Sequence, residues 1–154
     1  QGYGCSNGFR GVFCGGNDGV GSDYASNVMQ YITIDTAGNA TDFGDLLSDL
    51  RGASACSNDT RAVIAGGYSG SHSNVIQYIT VASTGNATDF GDLLSANSVM
   101  AAVANSTRAV FSGGDNGGAT EDMSYVTIAT TGNATDFGDM LNSKTSMTGA
   151  CSGD

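Results

Sequence analysis

His72 is the chain's one histidine, and an imidazole is the side chain best suited to accept or hold a proton near neutral pH. It lies in "GGYSGSHSN" (66–74) with no repeated Ser or Asp partner of the kind a nucleophilic triad needs. It reads as a solvated loop residue. The carboxylate pairs Asp42/Asp45, Asp89/Asp92 and Asp136/Asp139 suggest general acid–base work. They recur identically, however, whereas an active site needs one differentiated place, and Asx turns account for them better. The stretch "GGNDGVGSD" (15–23) offers Asn17, Asp18 and Asp23 as oxygen donors. Its counterparts "GGYSGSHSN" and "GGDNGGATED" lose that spacing, and the dense alternating ligands of a calcium loop are missing. No Lys-Ser/Thr and helix follow it, so it is not a phosphate loop. The expectation is therefore no enzyme, no metal and no cofactor.

What repeats is more informative. "GNATDFGD" stands at 38–45, 85–92 and 132–139, 47 residues apart and without a substitution. The similarity extends outward. "FRGVFCGG" (9–16), "TRAVIAGG" (60–67) and "TRAVFSGG" (107–114) correspond, as do "GYGCSN" (2–7), "ASACSN" (53–58), "MAAVAN" (100–105) and "TGACSG" (148–153). The asparagines of the formal glycosylation sequons, Asn39, Asn58, Asn86, Asn105 and Asn133, read as turn chemistry copied with the repeat.

Each period holds four extended runs, exemplified by "SACSN", "RAVIAGG", "VIQYITVA" and "ATDFGDLL". The last has a helical alternative, because Phe43, Leu46, Leu47 and Leu50 are spaced for one. Asn97 and Lys144 replace Leu50 in the other copies and a glycine follows each Phe, which favours a strand. Four-stranded sheets apolar on both faces must stack to bury themselves, and periods of about 40–50 residues mark propeller blades. The predicted fold is all-β, a β-propeller-like array of three four-stranded antiparallel blades, closed or extended only with further blades or subunits. Blade 1 covers about 2–48, blade 2 about 52–95 and blade 3 about 99–142. Residues 145–154 then start a fourth blade or form a donated strand. The small Gly4, Ala55, Ala102 and Ala150 belong near the axis.

Composition bounds the function. With 24 glycines, no proline and 40% hydrophobic residues, the chain suits many short strands rather than disorder. A net charge of −10, with five basic residues scattered along the chain, leaves no basic stripe for nucleic acid. No apolar run reaches the roughly 18 residues that suggest a membrane-spanning helix. The start at Gln1 rather than Met reads as a processed or excerpted chain.

The order of a short run, a run closing on Gly66-Gly67, a run bearing Tyr78 and a run bearing Phe90 resembles the kelch repeat. Phe90 stands where kelch has tryptophan, so the likeness is to a kelch-like relative. "TRAVFSGG" with the Tyr-bearing run and octapeptide also resembles propeller-like repeats of tail-associated and surface proteins of marine bacteriophages. That resemblance implies a virion-surface or extracellular protein.

Between the diglycine and the third run the copies differ completely: "NDGVGSDYAS" (17–26), "YSGSHS" (68–73) and "DNGGATE" (115–121). A fixed frame with one varied loop suits recognition; drift in an unselected loop gives the same pattern. Asn17, Asp18, Asp23, Tyr68, His72, Asp115 and Asn116 are the candidate ligand-binding residues, with a surface glycan as the expected ligand. The alternative is a structural protein assembling head to tail. The expected partners are further blades or other copies of the chain. Of the four cysteines, Cys5 is expected opposite Arg10, leaving Cys14 about 13 Å out of register. Cys5, Cys56 and Cys151 share one repeat position, and free, buried thiols follow.

Overall fold

The computed structural model describes residues 2–19 and 24–149. Twelve strands form three sheets. The first holds β1 (Tyr3–Ser6), β2 (Arg10–Asn17), β3 (Ala25–Thr33) and β4 (Thr41–Leu50). The second holds β5 (Ser54–Ser57), β6 (Arg61–Ala65), β7 (Ser73–Thr80) and β8 (Thr88–Asn97). The third holds β9 (Ala101–Ala104), β10 (Arg108–Ser112), β11 (Thr120–Thr127) and β12 (Thr135–Lys144). Each is an antiparallel meander in chain order, and no helix occurs among the described residues. The arrangement is an open, propeller-like stack of three blades. Of the short inner strands, β5 contacts both β1 and β9. Gly4, Ala55 and Ala102 lie on these strands; Ala150 lies outside the described residues.

The middle blade shows why the stack is stable. Alternate residues of a strand point to opposite faces, and Ala62, Val63, Ile64 and Ala65 of β6 are all fully buried. Ala62 and Ile64 pack into a core with Val12, Met29 and Phe43 of blade 1. Val63 and Ala65 pack into a second core with Phe111 and Val126 of blade 3. Two cores thus lie between three sheets.

The apparent helical spacing in the fourth run comes from bulges. Met29 pairs with Gly44 and Gln30 with Asp42, so Phe43 is an extra residue in β4. Phe90 and Phe137 occupy the same bulge in β8 and β12. Further along, Val28 pairs with Asp45 but Ser26 with Leu50. A bulge breaks the period of two, which lets Phe43, Leu46 and Leu50 all reach one core.

One local expectation is corrected. Cys5 pairs with Val12, and Tyr3 with Cys14. The turn spans Asn7–Arg10, one residue later than expected, because the Asn7 side chain accepts hydrogen bonds from the Phe9 and Arg10 amides. That shift brings Cys5 and Cys14 to diagonal positions close enough for their thiols to hydrogen-bond. Cys5, Cys14 and Cys56 are thiols, with Cys5 only half-buried; Cys151 lies outside the described residues. Between the third and fourth strands of blade 2 the chain turns at Thr80–Ser83, and further along the same connection Gly85 and Asn86 bond to the neighbouring blade.

Candidate recognition site

The octapeptide binds its own copy. The Gly85 amide donates to the carbonyl of Phe43 at 2.7 Å, and the Ala87 amide to the carbonyl of Asp45 at 2.8 Å. In return the Asp45 amide donates to Oδ1 of Asn86 at 3.0 Å. The same three bonds recur one blade on, from Gly132 to Phe90, from Ala134 to Asp92, and from Asp92 to Asn133. The bulge explains the geometry: it takes the Phe carbonyl out of the ladder and turns it to the next sheet. Each copy therefore has two halves, Gly-Asn-Ala docking on the blade before and Phe-Gly-Asp receiving the blade after. An arginine adds a clamp. Arg10 stacks over Tyr31 and donates to the Val81 carbonyl at 3.1 Å, while Arg61 stacks over Tyr78 and donates to Ile128 at 2.9 Å.

This lock lies at one end of the blades, and the varied loops lie at the other. A four-stranded meander brings the second-to-third-strand loop and the interblade connection to the same end. In blade 2 the Arg51 and Tyr68 backbones exchange hydrogen bonds of 3.1 and 2.8 Å, and in blade 3 Ser98 and Asp115 do the same at 3.0 and 2.8 Å. Tyr68 bridges to His72, and Asp115 to Ala119, closing each loop on itself. One frame therefore carries different side chains at matched points.

In blade 2 those side chains touch. The Arg51 guanidinium lies 5.0 Å from the Tyr68 ring centre. The Tyr68 and His72 rings meet edge to face at 5.2 Å. His72 Nδ1 is 3.1 Å from Oγ of Ser98, across the boundary with blade 3. Arg51, Tyr68 and His72 are half-exposed, so each retains surface for a ligand. Ser98 is buried, its amide held by Asp115 and by Asn97 Oδ1. Its hydroxyl links two loops and is poorly placed to attack a substrate.

The other expected residues are arranged separately. Asn17 is exposed and its Oδ1 accepts the Gly19 amide, while the exposed Asp18 bonds through its amide to Tyr24. Asp23 lies outside the described residues. Asp115 Oδ1 accepts the Gly117 amide, and Asn116 is exposed on the same loop. Arg51 and Ser98 escaped the sequence reading, although the signal was present: they occupy matched positions, 47 apart, and differ. Near the axis a cavity of about 310 Å³ is lined by Tyr3, Ser54, Met100 and Met147 among others. No cluster of three or more metal-ligating side chains occurs among the described residues. Among those residues, no helix is long and apolar enough to cross a membrane. Comparison with protein-family models and with curated proteins found no match.

Proposed function

We propose that this is a non-enzymatic recognition module of kelch-like type, displayed on a virion or another extracellular surface, whose loop end binds surface glycans. The observation that carries the reading is the contact chain Arg51–Tyr68–His72–Ser98, built from side chains that differ between blades 2 and 3 on a backbone frame the two blades share. An aromatic edge, a guanidinium with several donors and an imidazole together suit sugar hydroxyls and carboxylates. A tail-fibre or adhesin role agrees with this chemistry. The test is a glycan array probed with the folded chain and with Tyr68→Ala. Binding lost in the variant, with its circular dichroism unchanged, supports the reading; no binding by the folded parent chain overturns it.

The structural alternative, head-to-tail assembly, is favoured by a different observation, the exposed apolar faces of the outer blades. Electron microscopy of the purified chain tests for fibres or shells.

A further inference from the structure

We propose that a second copy of this chain docks its blade 1 on the open face of blade 3, re-forming between molecules the contact made twice within each. The inference is independent of what the loops bind. Its basis is that, among the described residues and apart from the inner edge of blade 3, both halves of one interface stand uncovered on the same molecule. Phe43 and Phe90 are 1% and 3% exposed against the following blade, whereas Phe137 is 48% exposed. On the opposite side, Ile64 and Phe111 are 0% and 1% exposed, whereas their counterpart Phe13 is 55% exposed. Ile34, at 48%, matches Val81 and Ile128, both 0%. A groove of about 580 Å³ runs along this open face of blade 1, lined by Gly11, Phe13, Ile32 and Ile34 with inner-strand residues.

The polar partners match as well. Gly38 is the counterpart of Gly85 and Gly132, whose amides donate to the Phe43 and Phe90 carbonyls, and its own amide would donate to the Phe137 carbonyl of the other copy. Asn39 would accept from the Asp139 amide and the Ala40 amide would donate to Asp139, as their counterparts do. Arg108 already stacks over Tyr125 at 4.5 Å and would clamp the Ile34 carbonyl as Arg10 and Arg61 clamp theirs. A steric detail agrees. A Cβ on Gly44 or Gly91 would lie 2.5 Å from the next blade's backbone, whereas one on Gly138 meets nothing within 4 Å. The contact is heterologous, so it yields a closed ring or an open chain according to the rotation per copy.

One segment stands in the way. The Met147 amide donates to the Val99 carbonyl at 3.2 Å, and Gly149 lies against the Ala102 backbone. Residues 145–149 thus run beside β9, where β1 of a second copy would sit. Docking requires this segment to yield.

Sedimentation velocity over a concentration series tests the proposal with the 154-residue chain and with the chain lacking 145–154. Ala40→Arg is the blocking variant: Ala40 is exposed, whereas its counterparts Ala87 and Ala134 are 6% and 8% exposed inside the formed interfaces. Leu141→Arg is the control. Leu141 is 99% exposed, but its counterparts Leu47 and Leu94 stay 49% and 58% exposed within formed interfaces. The expected result is association that Ala40→Arg abolishes, Leu141→Arg preserves and the truncation strengthens several-fold. Mixing Ala40→Arg with Phe137→Asp should restore a 1:1 dimer and nothing larger; should Phe137→Asp not fold, Ala40→Arg and Leu141→Arg decide alone. The proposal is overturned if neither full nor truncated chain associates, if both arginine variants behave alike, or if truncation abolishes association, which would indicate strand donation.

Discussion

The amide of Gly85 donates to the carbonyl of Phe43 at 2.7 Å, joining the first residue of one octapeptide to the sixth residue of the preceding copy. Each copy is both ligand and receptor for its neighbours. A change in Gly-Asn-Ala alters the fit to the blade before, and a change in Phe-Gly-Asp alters the fit to the blade after. Identity across three copies has this physical advantage: every interface is made by the same two halves.

Substitutions at equivalent glycines should separate steric from conformational cost. Gly91 has φ of +146° and its added Cβ would meet Gly132 at 2.5 Å; Gly138 has φ of +115° and open space. Gly138→Ala should cost roughly 1–3 kcal/mol from backbone strain alone. Gly91→Ala should cost that plus roughly another 1–3 kcal/mol of overpacking. Equal midpoints in urea titrations of the monomeric chain would contradict the octapeptide contact.

The same contrast applies to the bulge phenylalanines. Phe90→Ala should destabilise by about 3–5 kcal/mol, the range for a buried phenylalanine. Phe137→Ala, at a half-exposed site beside Tyr125, should cost about 1 kcal/mol, a typical value for a point substitution outside a core. Chemical denaturation of both variants gives the comparison.

Stability should fall in alkali. The hydrogen bond with Cys5, then burial, then the proximity of Cys5 push the Cys14 thiol well above its usual range. Burial, and next the proximity of Cys14, push the Tyr3 phenol up as well; its hydroxyl has no hydrogen-bond partner among the described residues. Both groups keep their protons in the folded chain while the unfolded chain loses them. Their stabilisation is therefore complete below about pH 8.5, the ordinary thiol value. Above it, stability declines by up to about 1.4 kcal/mol per pH unit for each such proton. Cys14→Ala should remove the first part of that decline in thermal melts run from pH 7 to 10. An unchanged slope would argue against a protonated, buried Cys14.

Val99 adopts φ of +50° at the position where the preceding repeat has Gly52 at +62°. A β-branched residue is strained there, although its amide still reaches the Gly52 carbonyl at 2.7 Å. Val99→Gly should leave stability unchanged or raise it by about 1 kcal/mol, since lost strain outweighs added chain entropy. A lower melting temperature would show that Val99 side-chain packing dominates.

The sequence by itself determined the period, the four strands of each blade, and the need of two-faced sheets to stack. Those features rest on local pattern: β-branched runs such as "VIQYIT", diglycine ends, and a 47-residue repeat. It also marked Tyr68 and His72, because variation against a constant frame is visible without coordinates. The tertiary structure decided the rest. Phe43, Phe90 and Phe137 stand in identical octapeptides, yet two are buried and one is half-exposed; burial depends on whether a next blade covers the face. The Cys5–Cys14 register turned on the Asn7 side chain capping its own turn, a shift of one residue that moved the partner by two. Arg51 joined Tyr68, and Ser98 joined His72, through contacts between residues 17 and 26 positions apart. Periodicity reports which face a side chain takes within its own strand. Which neighbour that face meets is a non-local fact, fixed only when the sheets come together.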